Sequence, residues 1–338
     1  YQVRLTVRDK NNQSASATQT ITVLPFSGAT YYVRADGNDS NAGTGPSAAQ
    51  AWKTYSKAFG AITSNSIVRP GSRVLFKRGD TFPYSASGVY LGSAQNVVIG
   101  AYGTGERPLF QYTGTTGADS AALIQSYTQA SEISVMDIRL NGKSGVVYAH
   151  GVSTSMTNLL LLRVALDQTS NNIFYTNGLF MASSTVTGLR NMFYSGRRLA
   201  LLNNTIGPAT ETHNLYGSVI DRGVITGNLF QTAWWGGVRI AANAAPGSWN
   251  IVVSDNEFFN LPSPLDIKVT SDSSTPWRGQ NVLIERNYVH DCGHGIRIQK
   301  NGYRQFLARN NVFVNVHYPV ALLDGVGAGV LEGINGFR

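Results

Sequence analysis

The sequence has little of what builds a disulfide framework, a metal centre or a membrane anchor. It contains one cysteine, Cys292, so no internal disulfide can form and a cysteine-rich metal site is excluded. We interpret Cys292 as a small residue beside a corner of the fold rather than as a catalytic thiol. No stretch approaches the roughly 20 apolar residues of a membrane-spanning helix, so membrane insertion is not expected.

Charged residues are also scarce, at 14% of the chain, and the balance is basic, with a net charge of +8. A basic surface attracts nucleic acid, an anionic membrane surface or an acidic polymer. No run of Lys and Arg, zinc spacing or RNA-recognition signature accompanies the charge, which disfavours nucleic acid. The partner we expect is an acidic polymer.

What the sequence does have is a short repeated pattern, in which a β-rich run is followed by an Asn and an apolar pair. The Asn residues are 24, 28, 31 and 24 residues apart. They are Asn204, Asn228, Asn256, Asn287 and Asn311. This period is too variable for a heptad or a helical-hairpin array and is typical of a solenoid.

A second run in each repeat alternates apolar and polar residues, which predicts strands with one buried and one wet face. Asn tolerates the left-handed conformation of a tight corner, and stacked corners allow the Asn side chains to pair as a ladder. With one coil per repeat, the pattern predicts an all-β fold, a parallel β-helix.

The segment from residue 31 to residue 80 resembles the N-terminal part of secreted right-handed β-helix proteins, many of them polysaccharide lyases. The resemblance rests on Tyr31-Tyr32-Val33, the polar loop 36–44, Ala51-Trp52-Lys53-Thr54-Tyr55 and the run 70–80. It implies a secreted or cell-surface, carbohydrate-active β-helix over 31–338, with an N-terminal cap at 31–73.

A short helix is predicted within this cap, because four apolar residues share one helical stripe. They are Trp52, Tyr55, Phe59 and Ile62. Such a helix closes the open end of a solenoid.

The first 24 residues predict two strands, Tyr1–Val7 and Gln19–Val23, around a polar turn at Asp9–Asn12. They resemble the last two strands of a PKD repeat, an immunoglobulin-like sandwich, and 25–30 is a predicted linker. The resemblance implies that the chain is part of a larger multidomain protein.

The loop Asp36–Asn41 clusters oxygen ligands of the kind that Ca²⁺ prefers, so Ca²⁺ is the one cofactor considered. The loop lacks the Glu and the spacing of an EF-hand, and a plain turn of Asn, Asp and Gly is favoured. No other cofactor is expected.

If the apolar residues of the second runs point inward, their neighbours form an outward column, with side chains of successive coils within roughly 5 Å of one another. That column is Tyr216, Arg239, Asp266, Arg297 and Ala321. Two residues further on, a parallel column is Ser218, Ala241, Lys268, Gln299 and Leu323. At the edge of this patch lie Glu211, His213, Asn243, His294 and Lys300.

These columns have two interpretations. The charges can form a surface ladder that only avoids like-charge stacking. Alternatively, Arg239 and Arg297 bind the carboxylates of an anionic sugar chain while Tyr216, Trp234 and Trp235 stack on its rings. Asp266 and the edge residues would then complete the substrate contacts.

We call the pair Arg239 and Arg297 the arginine cradle. The reaction that it suggests is β-elimination at a uronic acid. Arg239 and Arg297 would neutralise the uronate carboxylate so that a base can remove the adjacent proton. We expect Lys268 to be that base, with a pKa lowered by flanking arginines. His213 is the second candidate.

Three alternatives remain open. A hydrolase needs two carboxylates, and Glu211 and Asp266 are the acids near the patch, on coils that are not adjacent. A uronan epimerase is the second, because Glu211-Thr212-His213 resembles the acid-x-His element of β-helix mannuronan epimerases, without their Asp-Pro-His. The third is a non-catalytic adhesin or tailspike-like protein that presents only a binding face.

Overall fold

The computed structural model describes the chain except for a set of short stretches. These are residues 1, 9–12, 21, 23–25, 86–90, 116–121, 127–129, 155, 175–176, 242–246, 269–278, 300–302, 324–328, 333–334 and 338. At some strand positions only the backbone is described.

The described chain is a parallel β-helix, as predicted, and its first sheet has 12 parallel strands. Its strands are Thr30–Val33, Ser72–Lys77, Gln95–Tyr102, Ser131–Met136, Thr157–Leu162, Asn177–Ala182, Arg198–Leu202, Arg222–Thr226, Ser248–Ser254, Gly279–Glu285, Tyr303–Arg309 and Gly329–Glu332. We call its outer surface face 1.

The second sheet has 16 strands and bends, so that it forms two sides of each coil. Its strands are Thr81–Tyr84, Leu109–Tyr112, Ala122–Ser126, Arg139–Asn141, His150–Thr154, Ala165–Phe174, Thr185–Ser195, Thr205–Ala209, His213–Val219, Leu229–Gln231, Gly236–Ala241, Glu257–Phe259, Leu265–Lys268, Tyr288–Gln299, Val312–Leu323 and Asn335–Phe337.

Two outer surfaces follow from that bend. Face 2 carries Thr205–Ala209, Leu229–Gln231 and Glu257–Phe259, and face 3 carries His213–Val219, Gly236–Ala241 and Leu265–Lys268. The long strands Tyr288–Gln299 and Val312–Leu323 continue from face 2 onto face 3.

The core is a stack of apolar layers, because each coil sends one or two residues inward from every face. In one coil Ile225, Phe230 and Val238 are at most 1% exposed. Phe230 stacks on Phe258 of the next coil at 5.1 Å between ring centroids. Burying each such side chain contributes about 1.5 to 3 kcal/mol before the entropy of ordering is counted.

The predicted Asn ladder is confirmed. Asn228 Nδ2 donates to Asn256 Oδ1 at 2.9 Å, and Asn256 Nδ2 donates to Asn287 Oδ1 at 3.0 Å. The same oxygens also accept the backbone N–H of the preceding Asn, as at Asn228 N to Asn256 Oδ1, 3.0 Å. The ladder residues are buried, so the corners satisfy their own buried polar groups.

The left-handed residue of each corner is not the ladder Asn, however. It is the residue before it, as at Asn203 (φ 54°), Asp255 (φ 56°) and Arg286 (φ 54°). The ladder Asn leaves that turn and points inward, where its amide replaces the missing strand hydrogen bonds.

The cap contains one helix, Tyr55–Ile62, followed by a 3₁₀ turn at Thr63–Asn65. Thr54 begins the helix as its N-cap, since its side chain accepts the N–H of Lys57. Trp52 lies before the helix instead of within it and stacks on Tyr31 at 5.1 Å. The strand Thr30–Val33 already pairs with Ser72–Lys77, so part of the predicted cap is the first strand of the solenoid.

Two further pairs of strands are antiparallel. Lys143–Ser144 pairs with Val147–Tyr148, and Gln2–Arg8 pairs with Ser14–Thr20. The second N-terminal strand therefore begins five residues before the predicted Gln19–Val23 and ends three residues before it, because the hairpin register pairs Gln2 with Thr20. The PKD relationship stays a prediction. Within the described residues, the structure contains no helix with the length and hydropathy needed to cross a membrane.

Candidate functional site

The candidate site is on face 3, where the strand register builds the predicted outward column. Tyr216 pairs with Arg239, Arg239 with Asp266, and Asp266 with Arg297. Ala321 follows Arg297 in the same register. The residues before them, among them Leu215, Val238, Leu265 and Ile296, are at most 1% exposed. The alternation of the sequence was thus sufficient to place these side chains on one strip.

Asp266 is buried between the two arginines, which the sequence did not predict. Its side chain is 3% exposed, with Oδ2 3.9 Å from Arg239 Nε and Oδ1 3.5 Å from Arg297 Nε. The charges along the column alternate in sign, as the ladder interpretation expects, but the central carboxylate is buried. Two cations around one carboxylate leave a local positive charge, and such a buried group contributes little net stability.

The arginine Nε atoms carry the most informative observation. Nε of Arg239 and Nε of Arg297 are both buried, and neither has a hydrogen-bond partner among the residues that the structure describes. A buried donor without a partner costs about 1 to 3 kcal/mol. Because natural folds rarely leave such groups unpaired, we interpret this arginine pair as arranged for a ligand and not for stability.

Three rings, those of Tyr216, His213 and Trp235, lie next to the arginine end of the column. The Arg239 guanidinium lies over the Tyr216 ring, 4.7 Å from its centroid. His213 meets Tyr216 edge-on at 5.7 Å and Trp235 at 6.4 Å. The structure thus brings His213 into contact with the arginine column through Tyr216.

His213 is itself almost covered, at 4% exposure, and its Nδ1 lies 3.3 Å from Thr212 Oγ1. Glu211 is exposed at the start of this strand. As a pair of catalytic carboxylates, Glu211 and Asp266 fit poorly, because Asp266 is buried beside two guanidinium groups that favour its ionised form.

Trp234 and Trp235 lie in the turn before Gly236–Ala241, and they are 68% and 59% exposed. Backbone bonds hold this turn against the previous coil, since Trp234 N donates to Ala209 O at 3.1 Å. Exposed indole rings beside a charged strip of side chains suit stacking on the flat face of a ligand.

The structure does not place Lys268 between two arginines. Its neighbours in register are Ala241 and Gln299, whereas Asp266 is the residue flanked by Arg239 and Arg297. The argument for a lowered Lys268 pKa therefore loses its basis. The Lys268 side chain lies outside the described residues, as do Asn243 and Lys300 altogether.

His294 is separated from the arginine column. It stacks on Tyr318 at 5.3 Å, and its Nδ1 lies 3.2 Å from Pro262 O. Cys292 is buried nearby, and this burial raises the pKa of its thiol to about 11. That pKa fits the structural role assigned to the cysteine.

The Asp36–Asn41 loop uses its carboxylates internally. Asp36 pairs with Arg34, and Asp39 accepts hydrogen bonds from Lys53 N, Thr54 N and Thr54 Oγ1. These contacts favour the turn over a Ca²⁺ site. Among the described residues, no group of three or more His, Cys, Asp and Glu side chains is arranged to hold a metal ion.

Sequence reasoning missed a second group of outward side chains, on face 2. Phe259 and His290 are paired in register, and Tyr288 lies beside Glu257. The same alternation would have found them, because Phe258 and Val289 between them are fully buried. These residues follow the ladder Asn of each repeat, whereas the predicted column lies in the second run.

The comparisons with known proteins agree with this fold. The chain is similar to the A-module of a mannuronan C-5 epimerase of Azotobacter vinelandii, with 14% identity, a TM-score of 0.51 and coverage of 83% of this chain and 92% of that chain. It is also similar to the Dettilon tailspike protein, with 11% identity, a TM-score of 0.53 and coverage of 83% of this chain and 58% of the tailspike. No curated protein matches the chain.

The sequence profile of one family, described as the right handed beta helix region, matches residues 122–332. This match covers most of the coils that build the three faces. The chain therefore belongs to the right-handed β-helix family.

Proposed function

We propose that face 3 binds an acidic, uronate-containing polysaccharide in an extracellular setting, and that the protein cleaves this polymer by β-elimination. The observation that carries the proposal is the pair of buried Nε donors of Arg239 and Arg297 without partners in the described structure. A ligand carboxylate supplies the acceptor that both donors lack.

The charge of the column favours an anionic ligand. Asp266 offsets only one of its two flanking guanidinium groups. The Tyr216 ring lies against Arg239, and the exposed rings of Trp234 and Trp235 precede the Arg239 strand, so these rings can stack on sugar rings. Fold likeness to a mannuronan epimerase agrees with a uronan ligand, but the proposal rests on the arginine pair of face 3.

The chemistry follows from neutralising the carboxylate. When Arg239 and Arg297 bind it, the proton on the adjacent ring carbon becomes acidic, and a base can remove it. The electron pair of that C–H bond forms the new double bond as the glycosidic C–O bond breaks, and the departing oxygen takes a proton. His213 and Lys268 are the base candidates, and imidazole exchanges protons readily near neutral pH.

A second candidate is a protein that binds the same polymer without cleaving it. It is favoured by the burial of His213, which is 4% exposed and lies against Trp235 and Tyr216. The two candidates share the arginine cradle and differ only in the presence of a base that the substrate can reach.

The test combines binding with product analysis on pectate, alginate and a glycosaminoglycan. Affinity electrophoresis measures binding, and ultraviolet absorbance of the unsaturated sugar reports elimination. We expect Arg239→Ala with Arg297→Ala to weaken binding at least about tenfold, since charge-assisted hydrogen bonds contribute about 1.5 to 3 kcal/mol each. Arg222→Ala is the matched control, an exposed arginine on face 1.

The outcomes distinguish a lyase from a protein that only binds the polymer. Unsaturated product that disappears in His213→Gln or Lys268→Ala identifies a lyase and its base. Binding without product supports the second candidate. Equal binding by the wild type and the double arginine variant would contradict the cradle itself.

A further inference from the structure

The face 2 ring cluster, Phe259, Tyr288 and His290, is a layer of aromatic side chains outside the face 3 site. Tyr288 and His290 stack at 4.6 Å between centroids with 20° between their planes, and Phe259 and His290 stack at 4.9 Å and 28°. The intervening residues Phe258 and Val289 point into the core and are fully buried. The three rings therefore stand on the outer side of face 2, and Phe259 and Tyr288 each turn one ring face towards His290 and leave the other free.

This surface stays open to solvent. Phe259 is 36% exposed and Tyr288 is 42% exposed. A large aromatic ring that is left this exposed on a rigid strand does not contribute its full apolar area to folding. Exposed rings that are held in a preformed stack fit a surface that contacts a ligand.

Hydrogen bonds hold the cluster in place. His290 Nε2 lies 3.1 Å from Glu257 Oε1, and His290 Nδ1 lies 2.8 Å from Asp291 Oδ2. Asn315 Nδ2 donates to Asp291 Oδ1 at 2.6 Å. Because both ring nitrogens are engaged, the imidazole cannot rotate, and the stacked rings are fixed before any ligand arrives.

The cluster continues around the corner towards face 3. Asp291 and Asn315 also line a cavity of 640 Å³ together with His317 and Tyr318. Tyr318 is 54% exposed. Among the residues that the structure describes, none that line this cavity is Lys or Arg. The region thus combines flat apolar faces, carboxylate and amide groups, and space for a ligand of several rings.

We propose that the face 2 ring cluster is a second carbohydrate-binding site, and that it takes an uncharged sugar. The free ring face of Phe259 or Tyr288 can stack on the C–H side of a hexose ring. Glu257, Asp291 and Asn315 lie beside these rings and can bond its hydroxyl groups. Uronates are disfavoured here because their carboxylates would meet Glu257 and Asp291, which are 49% and 47% exposed in their side chains. This site does not depend on the function proposed for face 3.

The test is affinity electrophoresis of the whole chain through gels that contain uncharged polysaccharides, namely hydroxyethyl cellulose, galactomannan and laminarin. We expect at least one of them to retard the wild type. The double variant Phe259→Ala, Tyr288→Ala should bind that polymer about tenfold more weakly, which corresponds to about 1.4 kcal/mol. Both side chains point outward, so its thermal unfolding should remain cooperative.

Two control variants define the site. Phe180→Ala removes a ring that is 42% exposed on face 1, and it should bind like the wild type. Arg239→Ala with Arg297→Ala should also keep the uncharged polymer, which separates this site from face 3. The proposal is overturned if no uncharged polymer retards the wild type, or if the ring variant is retarded as strongly as the wild type. Tighter binding of a cationic amino-sugar oligomer than of its N-acetylated form would also overturn the assignment to uncharged sugars.

Discussion

Two polar ladders run along this solenoid, one residue per coil, and they are built in opposite ways. In the inner ladder the five Asn amides are buried, and each of the first four donates to the amide of the next. In the outer column Asp266 is equally buried, yet its ion pairs are 3.5 and 3.9 Å long and the Nε atoms of Arg239 and Arg297 lack partners in the described chain. The inner ladder is complete without a ligand, and the outer one is not.

The difference shows which repeated polar residues stabilise the coil and which are arranged to bind a ligand. A stack that satisfies all its hydrogen bonds contributes to folding. A buried stack that leaves donors unused is costly for folding and points to binding. Sequence repetition alone does not distinguish the two.

The largest effect is expected from breaking the inner ladder. Asn256→Leu removes the acceptor of Asn228 N and the donor to Ile225 O. Two buried groups without partners cost about 2 to 6 kcal/mol together, so the urea midpoint should fall sharply. Asn177→Ala is the control, an exposed Asn on face 1 whose Oδ1 accepts one solvent-exposed hydrogen bond from Arg197 N, and it should change stability by less than about 1 kcal/mol. Similar midpoints for the two variants would contradict the structural role of the ladder.

A smaller loss is expected from Asp266→Asn in the outer column. It leaves two guanidinium groups without their carboxylate, at a cost of about 2 kcal/mol, below the usual range for buried pairs because Arg297 is partly exposed. An added oligouronate should restore part of this loss by binding to the folded state. The control Asp255→Asn breaks an exposed ion pair with Arg286 and should cost less than about 1 kcal/mol. Denaturation with and without the oligosaccharide measures both effects, and no gain in stability on adding it would count against the cradle.

The smallest effect concerns pH and the face 2 ring cluster. Burial lowers the pKa of His290, but hydrogen bonds to Asp291 and Glu257 outweigh it and raise the pKa above its usual value. The folded state therefore holds this proton more tightly, and the resulting stability is present below about pH 6.5 and is lost as pH rises through the raised pKa. In His290→Gln, the thermal midpoint should change less between mildly acidic and mildly alkaline pH than it does in the wild type. An unchanged pH profile in this variant would show that His290 does not contribute.

Much of the fold followed from the sequence because it depends on period and alternation. The Asn spacing gave one coil per repeat, and the alternation around Val238 and Leu265 gave the register of the outer column. The left-handed corner residue was misplaced by one position, because Asn favours that conformation in general while here its amide is needed inside the ladder. The hydrogen bonds between coils outweigh the preference of Asn for the left-handed conformation.

The site was predicted less completely, for a physical reason. Which side chains are neighbours is set by the backbone, but how deeply Asp266 is buried depends on packing between three coils. The same applies to His213, which Trp235 and Tyr216 cover from different parts of the chain. The sequence places Lys268 on the same patch as Arg239 and Arg297, which belong to the neighbouring column, whereas the register puts Asp266 between them.

The most direct measurement of the central claim is nuclear magnetic resonance of the arginine Nε–H groups during titration with a uronic-acid oligosaccharide. If the outer column is an incomplete site, the Nε–H signals of Arg239 and Arg297 shift together as the oligosaccharide binds, and an uncharged oligosaccharide leaves them in place. Saturating binding with both signals unmoved would contradict the claim, because the donors would then have no role in holding the carboxylate.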